Sequence, residues 1–432
     1  EPAAIVSLAF KDTPKEIHTT ATADATQTHE VQAGSETGLT DVVAIGGGTA
    51  GATYHIKGTL MDKSTGKAIE HDGQLVTAEK TFTLDDTQSV SLAFTVDTSD
   101  LEGHDIVVFE DMHEGDSDQG TEFAKHEDIN DEGQTVHVVN IHTNATDSGT
   151  KDHQGTSTGK ETIIDTVSYT NLKVGTEYTV TGTLMDKGTG KALVGENGSA
   201  ITVTKKFTPT EANGTVEVPF EIDSSLLAGK STVAFENLYN NGVQIAVHND
   251  LTDTDQTVHH PAVHTTAISG DMQDHFISAE KDAVITDKVE LTNLIPGETY
   301  TVKGTLMDKS TGKAVTVDGK AVTAETTFKA DSENPTVNVE FKFDASKLVG
   351  HDLVVFEDLV HNDVTVAHHK DLKDKDQTVH ATSMHTTATD KADGDHQIGT
   401  EPSTITDRVE YSGLTKGATY TVKGTLMDKS TG

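Results

Sequence analysis

Residues 58–66 read GTLMDKSTG. The same nine residues return at 304–312 and 424–432, with one change, GTLMDKGTG, at 182–190. Each copy closes an alternating run, as in YTVTGTLMDK from Tyr178. Other markers keep the same order. HT stands at His18-Thr19, His142-Thr143, His264-Thr265 and His385-Thr386, and VVFE, VAFE and VVFE end at Glu110, Glu236 and Glu357. The four threonines lie 124, 122 and 121 residues apart, which marks a tandem array. The spacing predicts the end of a preceding segment over 1–13, complete repeats over 14–138, 139–260 and 261–381, and an incomplete fourth over 382–432.

Within a repeat the apolar residues alternate over short runs, broken by Gly, Asp-Gly, Asn-Gly and Lys-Gly, with no long helical period. That pattern predicts an all-β chain of tandem Ig-like antiparallel β-sandwiches. Nine residues separate Gln134 from Thr143, Gln256 from Thr265, and Gln377 from Thr386. The last strand of one repeat is therefore expected to enter the next through a short, stiff connector, giving an elongated, monomeric rod.

The 432 residues carry a formal charge of -38, which repels phosphate backbones and anionic lipid and argues against nucleic-acid or membrane-surface binding. Cysteine is absent, so no disulfide is available. No run is long and apolar enough to insert into a membrane, and no secretion signal is visible. The abrupt ends suggest a portion of something longer.

Carboxylates recur where apolar residues belong. Side chains alternate along a strand, so IIDTVSY places Ile163, Asp165, Val167 and Tyr169 on one face. Asp287 falls with Ile285, Val289 and Leu291, Asp41 with Leu39 and Val43, and Asp407 with Ile405, Val409 and Tyr411. Glu110 is in register with Ile106 and Val108, Glu357 with Leu353 and Val355, and Glu236 with Ala234. An unpaired buried carboxylate costs several kcal/mol or takes up a proton. Two in each complete repeat point to chemistry. In KHEDINDEGQTVH (125–137), VHNDLTDTDQTVH (247–259) and HHKDLKDKDQTVH (368–380), a histidine precedes a glutamine by eight positions: His126 and Gln134, His248 and Gln256, His369 and Gln377.

Threonine becomes a nucleophile beside a base, which a histidine steered by a carboxylate supplies. A glutamine amide is an electrophile when a neutral carboxyl polarises it. Attack of Thr Oγ on Gln Cδ expels ammonia and leaves an ester, with no cofactor and no turnover. Both partners react once, so this is not an enzyme in the ordinary sense.

The ordered set of HT, the Asp-bearing strand, V[AV]FE and H-x7-Q-T resembles the ester-bond domains, or VaFE repeats, of Gram-positive surface adhesins. The resemblance covers essentially the whole chain. It implies a collagen-adhesin B-like sandwich in which a first-strand Thr is joined to a last-strand Gln, assisted by Asp, Glu and His. Carried over, the sets are Thr19, Asp41, Glu110, His126 and Gln134; Thr143, Asp165, Glu236, His248 and Gln256; and Thr265, Asp287, Glu357, His369 and Gln377. The first threonine of HTT is chosen because the second repeat reads HTN. The fourth copy keeps Thr386 and Asp407 but lacks the rest.

The function implied is the self-cross-linked stalk of an extracellular, cell-wall-anchored adhesin, whose host or surface ligand is met by domains outside this chain. The alternative is a host-ligand-binding module. A Lys–Asn isopeptide is disfavoured because no HT strand carries the lysine. The acidic loops DINDEG, DLTDTD and DLKDKD leave weak calcium binding open, although the EF-hand order is missing. A metal site at His259-His260 or His368-His369 is disfavoured because adjacent strand residues point to opposite faces. No other cofactor is expected.

Overall fold

The computed structural model describes residues 13–270 and 273–432; all but the last residue of the expected leading segment, 1–13, lies outside them. Strands and turns account for the described residues, with one three-residue 3-10 turn at Ser224–Leu226 and no α-helix. No helix among them is long and apolar enough to cross a membrane.

The chain forms two compact units. One comprises the described residues up to 145 with 163–220 and 232–257. Its first repeat has a three-stranded sheet with Thr37–Gly46 between Glu16–Ala23 and Ser89–Val96. A second sheet places Asp105–Glu114 between Thr53–Asp62 and Thr135–Asp147, with Thr77–Thr83 and Glu122–His126 also paired to it. Buried positions alternate with exposed ones along Ser89–Val96 in the first sheet and with partly buried ones along Thr53–Asp62 in the second. Leu39, Val43, Leu92 and Phe94 on one inner face meet Ile56, Leu60, Ile106 and Val108 on the other in a single buried cluster. This is sheet-on-sheet packing, and each such side chain contributes roughly 1.5–3 kcal/mol by leaving water. The unit also carries most of the second repeat, where Tyr178–Asp186 pairs with Ser231–Asn240 and Thr202–Phe207.

The other unit comprises 146–162, 221–231 and 258–432. Its third repeat is built like the first. Ala283–Thr292 lies between Ala262–Ser269 and Thr336–Phe343, and Asp352–His361 lies between Thr299–Asp308 and Thr378–Asp390. Ile285, Val289, Val339 and Phe341 meet Val302, Leu306, Leu353 and Val355 in its core. Of the fourth copy, Ile405–Ser412 pairs with Thr378–Asp390 and leaves Tyr411 exposed.

The GTLMDK motif has a packing reason. A Cβ on Gly58 would lie 2.6 Å from Phe94 Cζ, and one on Gly182 2.7 Å from Phe220 Cζ; Gly304 meets Phe341 in the same way. Only glycine lets the facing aromatic ring close over that strand. The motif's aspartate then starts the turn: Asp62 Oδ1 accepts from Ser64 N at 2.9 Å and Asp308 Oδ1 from Ser310 N at 2.8 Å.

The expected short connection takes the form of unbroken strand at two of the three boundaries. Thr135–Asp147 is one continuous strand of 13 residues, running from the residue after Gln134 past Thr143, and Thr378–Asp390 does the same. Between the second and third repeats the run breaks into Thr257–His259 and Ala262–Ser269. Pro261 lies in the gap; it lacks the N–H that a continuous strand needs.

Candidate functional site

The first strand of a repeat and the long strand that pairs with it place threonine and aspartate together. Thr19 is opposite Val43 and Ala21 opposite Asp41, so Thr19 and Asp41 are diagonal neighbours on the inner face. The third repeat repeats this register with Thr265 opposite Val289 and Ala267 opposite Asp287. In the fourth, Thr386 is opposite Val409 and Ala388 opposite Asp407, but both site residues are exposed there.

The glutamate comes from the facing sheet. Glu110 lies between Gly58 and His126, Glu236 between Gly182 and His248, and Glu357 between Gly304 and His369. The glycine that admits the aromatic ring thus also leaves the carboxyl with no side chain on that flank. Backbone bonds bring in the glutamine. Ala21 N donates to Gly133 O at 3.0 Å, Ala145 N to Asp255 O at 2.8 Å and Ala267 N to Asp376 O at 2.9 Å. Each bond links the second residue after the threonine to the residue before the glutamine.

All three complete sets converge. The glutamine Nε2 donates to the glutamate Oε2 at 2.6 Å (Gln134, Glu110), 2.7 Å (Gln256, Glu236) and 2.8 Å (Gln377, Glu357). Gln256 Nε2 also donates to Thr143 Oγ1, and Thr265 Oγ1 donates to Glu357 Oε2 at 3.4 Å. Threonine, aspartate, glutamate and glutamine are buried in every set, and the histidine is half-buried.

Burial controls the electrostatics. It raises Asp41, Asp165 and Asp287 above the usual aspartate range, against the pull of the neighbouring glutamate, of the histidine and, in the second and third sets, of threonine. It pushes Glu110 up to about 10, helped by the Asp41 charge, and Glu236 and Glu357 well above their ordinary value for the same two reasons. Neither oxygen of the three aspartates has a fixed donor. Two buried carboxyls raised together favour a single charge between them, so each pair shares a proton.

The histidine has a partner that the sequence reading missed. His126 Nε2 meets Asp131 Oδ2 at 2.8 Å, His248 meets Asp253 at 2.8 Å and His369 meets Asp374 at 2.9 Å. The same aspartates accept from the backbone N–H of the residue before the glutamine, at 2.7 Å from Gly133 and 2.8 Å from Asp255 and Asp376. Their carbonyls accept from Thr135 Oγ1 at 2.7 Å, from Thr257 Oγ1 at 2.6 Å and from Thr378 Oγ1. The loop aspartate therefore ties the histidine to both flanks of the glutamine, and this fixes the spacing of eight. Its signal was present: aspartate stands five after the histidine and three before the glutamine in all three repeats.

The other acidic loop positions are engaged locally. Asp128, Asp250 and Asp371 accept from the N–H two residues ahead at 3.0, 2.8 and 2.8 Å. Among the described residues no group of three or more His, Asp or Glu is placed to hold a metal ion. His260 Nδ1 lies 3.2 Å from Glu161 Oε2, with both side chains fully buried.

The sequence profile of the T-Q ester bond containing domain matches residues 15–138, 139–260, 261–381 and 382–432. No curated protein matches the chain. Among solved structures, a Mobiluncus mulieris adhesin containing intramolecular disulfide, isopeptide and ester bond cross-links is similar at 17% identity and a TM-score of 0.26, over 64% of this chain and 99% of that one. A 1.5-MDa bacterial ice-binding adhesin is similar at 15% identity and a TM-score of 0.23, over 93% and 96%. The C-terminal domain of the Streptococcus agalactiae AgI/II polypeptide BspA is similar at 13% identity and a TM-score of 0.27, over 54% and 100%. At such TM-scores these likenesses carry no functional statement. The profile spans nearly the whole chain, and with four matched copies the chain belongs to the T-Q ester bond containing domain family.

Proposed function

We propose that the first three repeats each close a Thr–Gln ester without help, and that the tandem array is a load-bearing segment of an adhesin on the outer surface of a Gram-positive bacterium. One observation carries the chemistry: in three copies the glutamine nitrogen lies 2.6–2.8 Å from a buried glutamate that burial and the adjacent aspartate push well above its ordinary range. That nitrogen is the leaving group. In the proposed reaction the glutamate holds the pair's proton and the aspartate is the anion. The aspartate takes the threonine proton as Oγ attacks Cδ. The Cδ–Nε2 bond breaks, and the glutamic acid protonates the departing nitrogen to ammonia. The pair ends with the one proton it began with, so no water or cofactor is consumed. Held by its loop aspartate, the histidine stabilises negative charge beside the reacting centre.

The mechanical reading follows from connectivity. An ester from Thr143 to Gln256 closes 113 residues into a covalent loop, with both anchors next to the repeat boundaries. Tension passes through the ester, and the residues inside the loop carry none.

Intact mass tests the chemistry. The purified chain should be lighter than its sequence by three ammonias, and Thr143→Ala should restore one. A wild-type mass equal to the plain sequence overturns the reading. Single-molecule pulling tests the mechanics: the wild type should show no domain-length extension from these three repeats, and Thr143→Ala one. A domain-length event in a fully cross-linked chain overturns the load-bearing role.

A further inference from the structure

The GTLMDK motif carries a residue that neither packing nor the ester chemistry explains: its lysine. We infer that Lys187 and Lys309 are positioning residues for ester formation in the second and third repeats, an inference that rests on the ester-forming reading above. Lys187 Nζ donates to Thr257 Oγ1 at 2.9 Å, and Lys309 Nζ donates to Thr378 Oγ1 at 2.9 Å. Both threonines are buried and follow the reacting glutamine directly.

The direction of these bonds matters. An ammonium only donates, so it occupies a lone pair of the hydroxyl and turns the hydroxyl proton elsewhere. That proton goes to the carbonyl of Asp253 at 2.6 Å, and in the third repeat to the carbonyl of Asp374. Those aspartates hold His248 and His369 and cap the residue before the glutamine. The lysine thus locks one end of a chain, Lys–Thr–Asp–His, that wraps the glutamine from both sides. Its own backbone is anchored, with Lys309 N donating to Asp352 O at 2.9 Å.

The first repeat is a control within the same molecule. Thr135 makes the same bond to Asp131 O at 2.7 Å, but Lys63 turns to Glu132, with Nζ 3.7 Å from Oε1. The cause is visible in the sequence. Two residues before the glutamine stands Glu132 in the first repeat, whereas Thr254 and Lys375 hold that place in the others and offer no carboxylate.

The test uses the full chain recovered from inclusion bodies in denaturant, before it has folded and lost ammonia, and refolded by dilution. Samples are quenched at intervals, digested, and each repeat followed by the ammonia it loses, with circular dichroism reporting refolding separately. Lys187→Met should slow the second repeat alone and Lys309→Met the third alone, each by between about tenfold and 100-fold, the range expected when a supporting residue loosens a reacting geometry. Lys187→Arg, which keeps a cationic donor, should restore most of the rate, which a mere packing role would not require. Lys63→Met should leave the first repeat unchanged. With Glu132→Thr in place, Lys63→Met should slow it, and this pair decides the matter should Lys187→Met fail to refold. Wild-type rates in Lys187→Met and Lys309→Met, or no effect of Lys63→Met in the Glu132→Thr background, overturn the positioning role while leaving the ester intact. A wild-type chain that loses no ammonia overturns the ester itself.

Discussion

Replacing Thr143 with valine removes the nucleophile and little else. Valine keeps the β-branched shape that suits a strand, and Glu236 still accepts from Gln256 Nε2 at 2.7 Å. The local change is small, because the unreacted Gln256 amide keeps its bond to Glu236. The larger loss is topological. Thr143 and Gln256 are 113 residues apart, and closing a loop of that size removes entropy from the unfolded chain worth roughly 5 kcal/mol. This is comparable with the whole stability of many domains. Localised hydrogen exchange measures it, because protected amides exchange through opening of their own region. Peptides from 139–260 should exchange a few thousand-fold faster in Thr143→Val than in wild type, since about 1.4 kcal/mol is one decade. Peptides from the third repeat should not change. If protection in the second repeat falls by tenfold or less, while intact mass confirms that one ester is missing, the loop-closure argument is wrong.

Three further predictions follow from the same geometry. Asp253→Asn should leave the second repeat folded but slow its ammonia loss by about 100-fold, because His248 loses its charged partner and the segment before Gln256 one cap; refolding with quenched mass analysis checks it, and a wild-type rate counts against the role given to the loop aspartate. Ester formation in the first repeat should show a bell-shaped pH profile. The reactive pair is Glu110 neutral and Asp41 ionised, so activity falls above about 10 as Glu110 loses its proton and falls in acid as Asp41 gains one, above the ordinary aspartate range; a flat alkaline limb through that pH refutes the protonation scheme. Gly182→Ala should destabilise an uncross-linked second repeat by about 1–3 kcal/mol, since its Cβ would stand 2.7 Å from Phe220 Cζ and 3.0 Å from Val218 Cγ1; hydrogen exchange in the Thr143→Val background reads it directly.

The sandwich was legible because period-two alternation and the GTLMDK copies mark strands and repeats without any knowledge of pairing. The buried carboxylates were legible for the same reason: Asp165 falls between Ile163 and Val167 on a face that has no other use than the core. The form of the connectors was not legible. A step of nine residues between Gln134 and Thr143 is equally compatible with a loop and with a strand, and only pairing along its length decides that Thr135–Asp147 is continuous. Pro261 was the one local signal, and it marks the boundary where the strand does break.

The loop aspartates Asp131, Asp253 and Asp374 were missed because each stands in an acidic run where solvation is the usual fate of a carboxylate. What separates them from their neighbours is not composition but a constant distance from two other residues. Asp128, Asp250 and Asp371 also recur, yet their hydrogen bonds close turns within the loop. A turn aspartate is bound by its own backbone and tolerates any change that keeps the turn. An aspartate that holds a histidine five residues back and caps a segment two residues ahead cannot shift by one position in either direction. The offset from both His and Gln therefore carries the site, and the run of acids around it is background. The same reasoning singles out the motif lysine, whose contact with the residue after the glutamine is lost only where Glu132 draws it away.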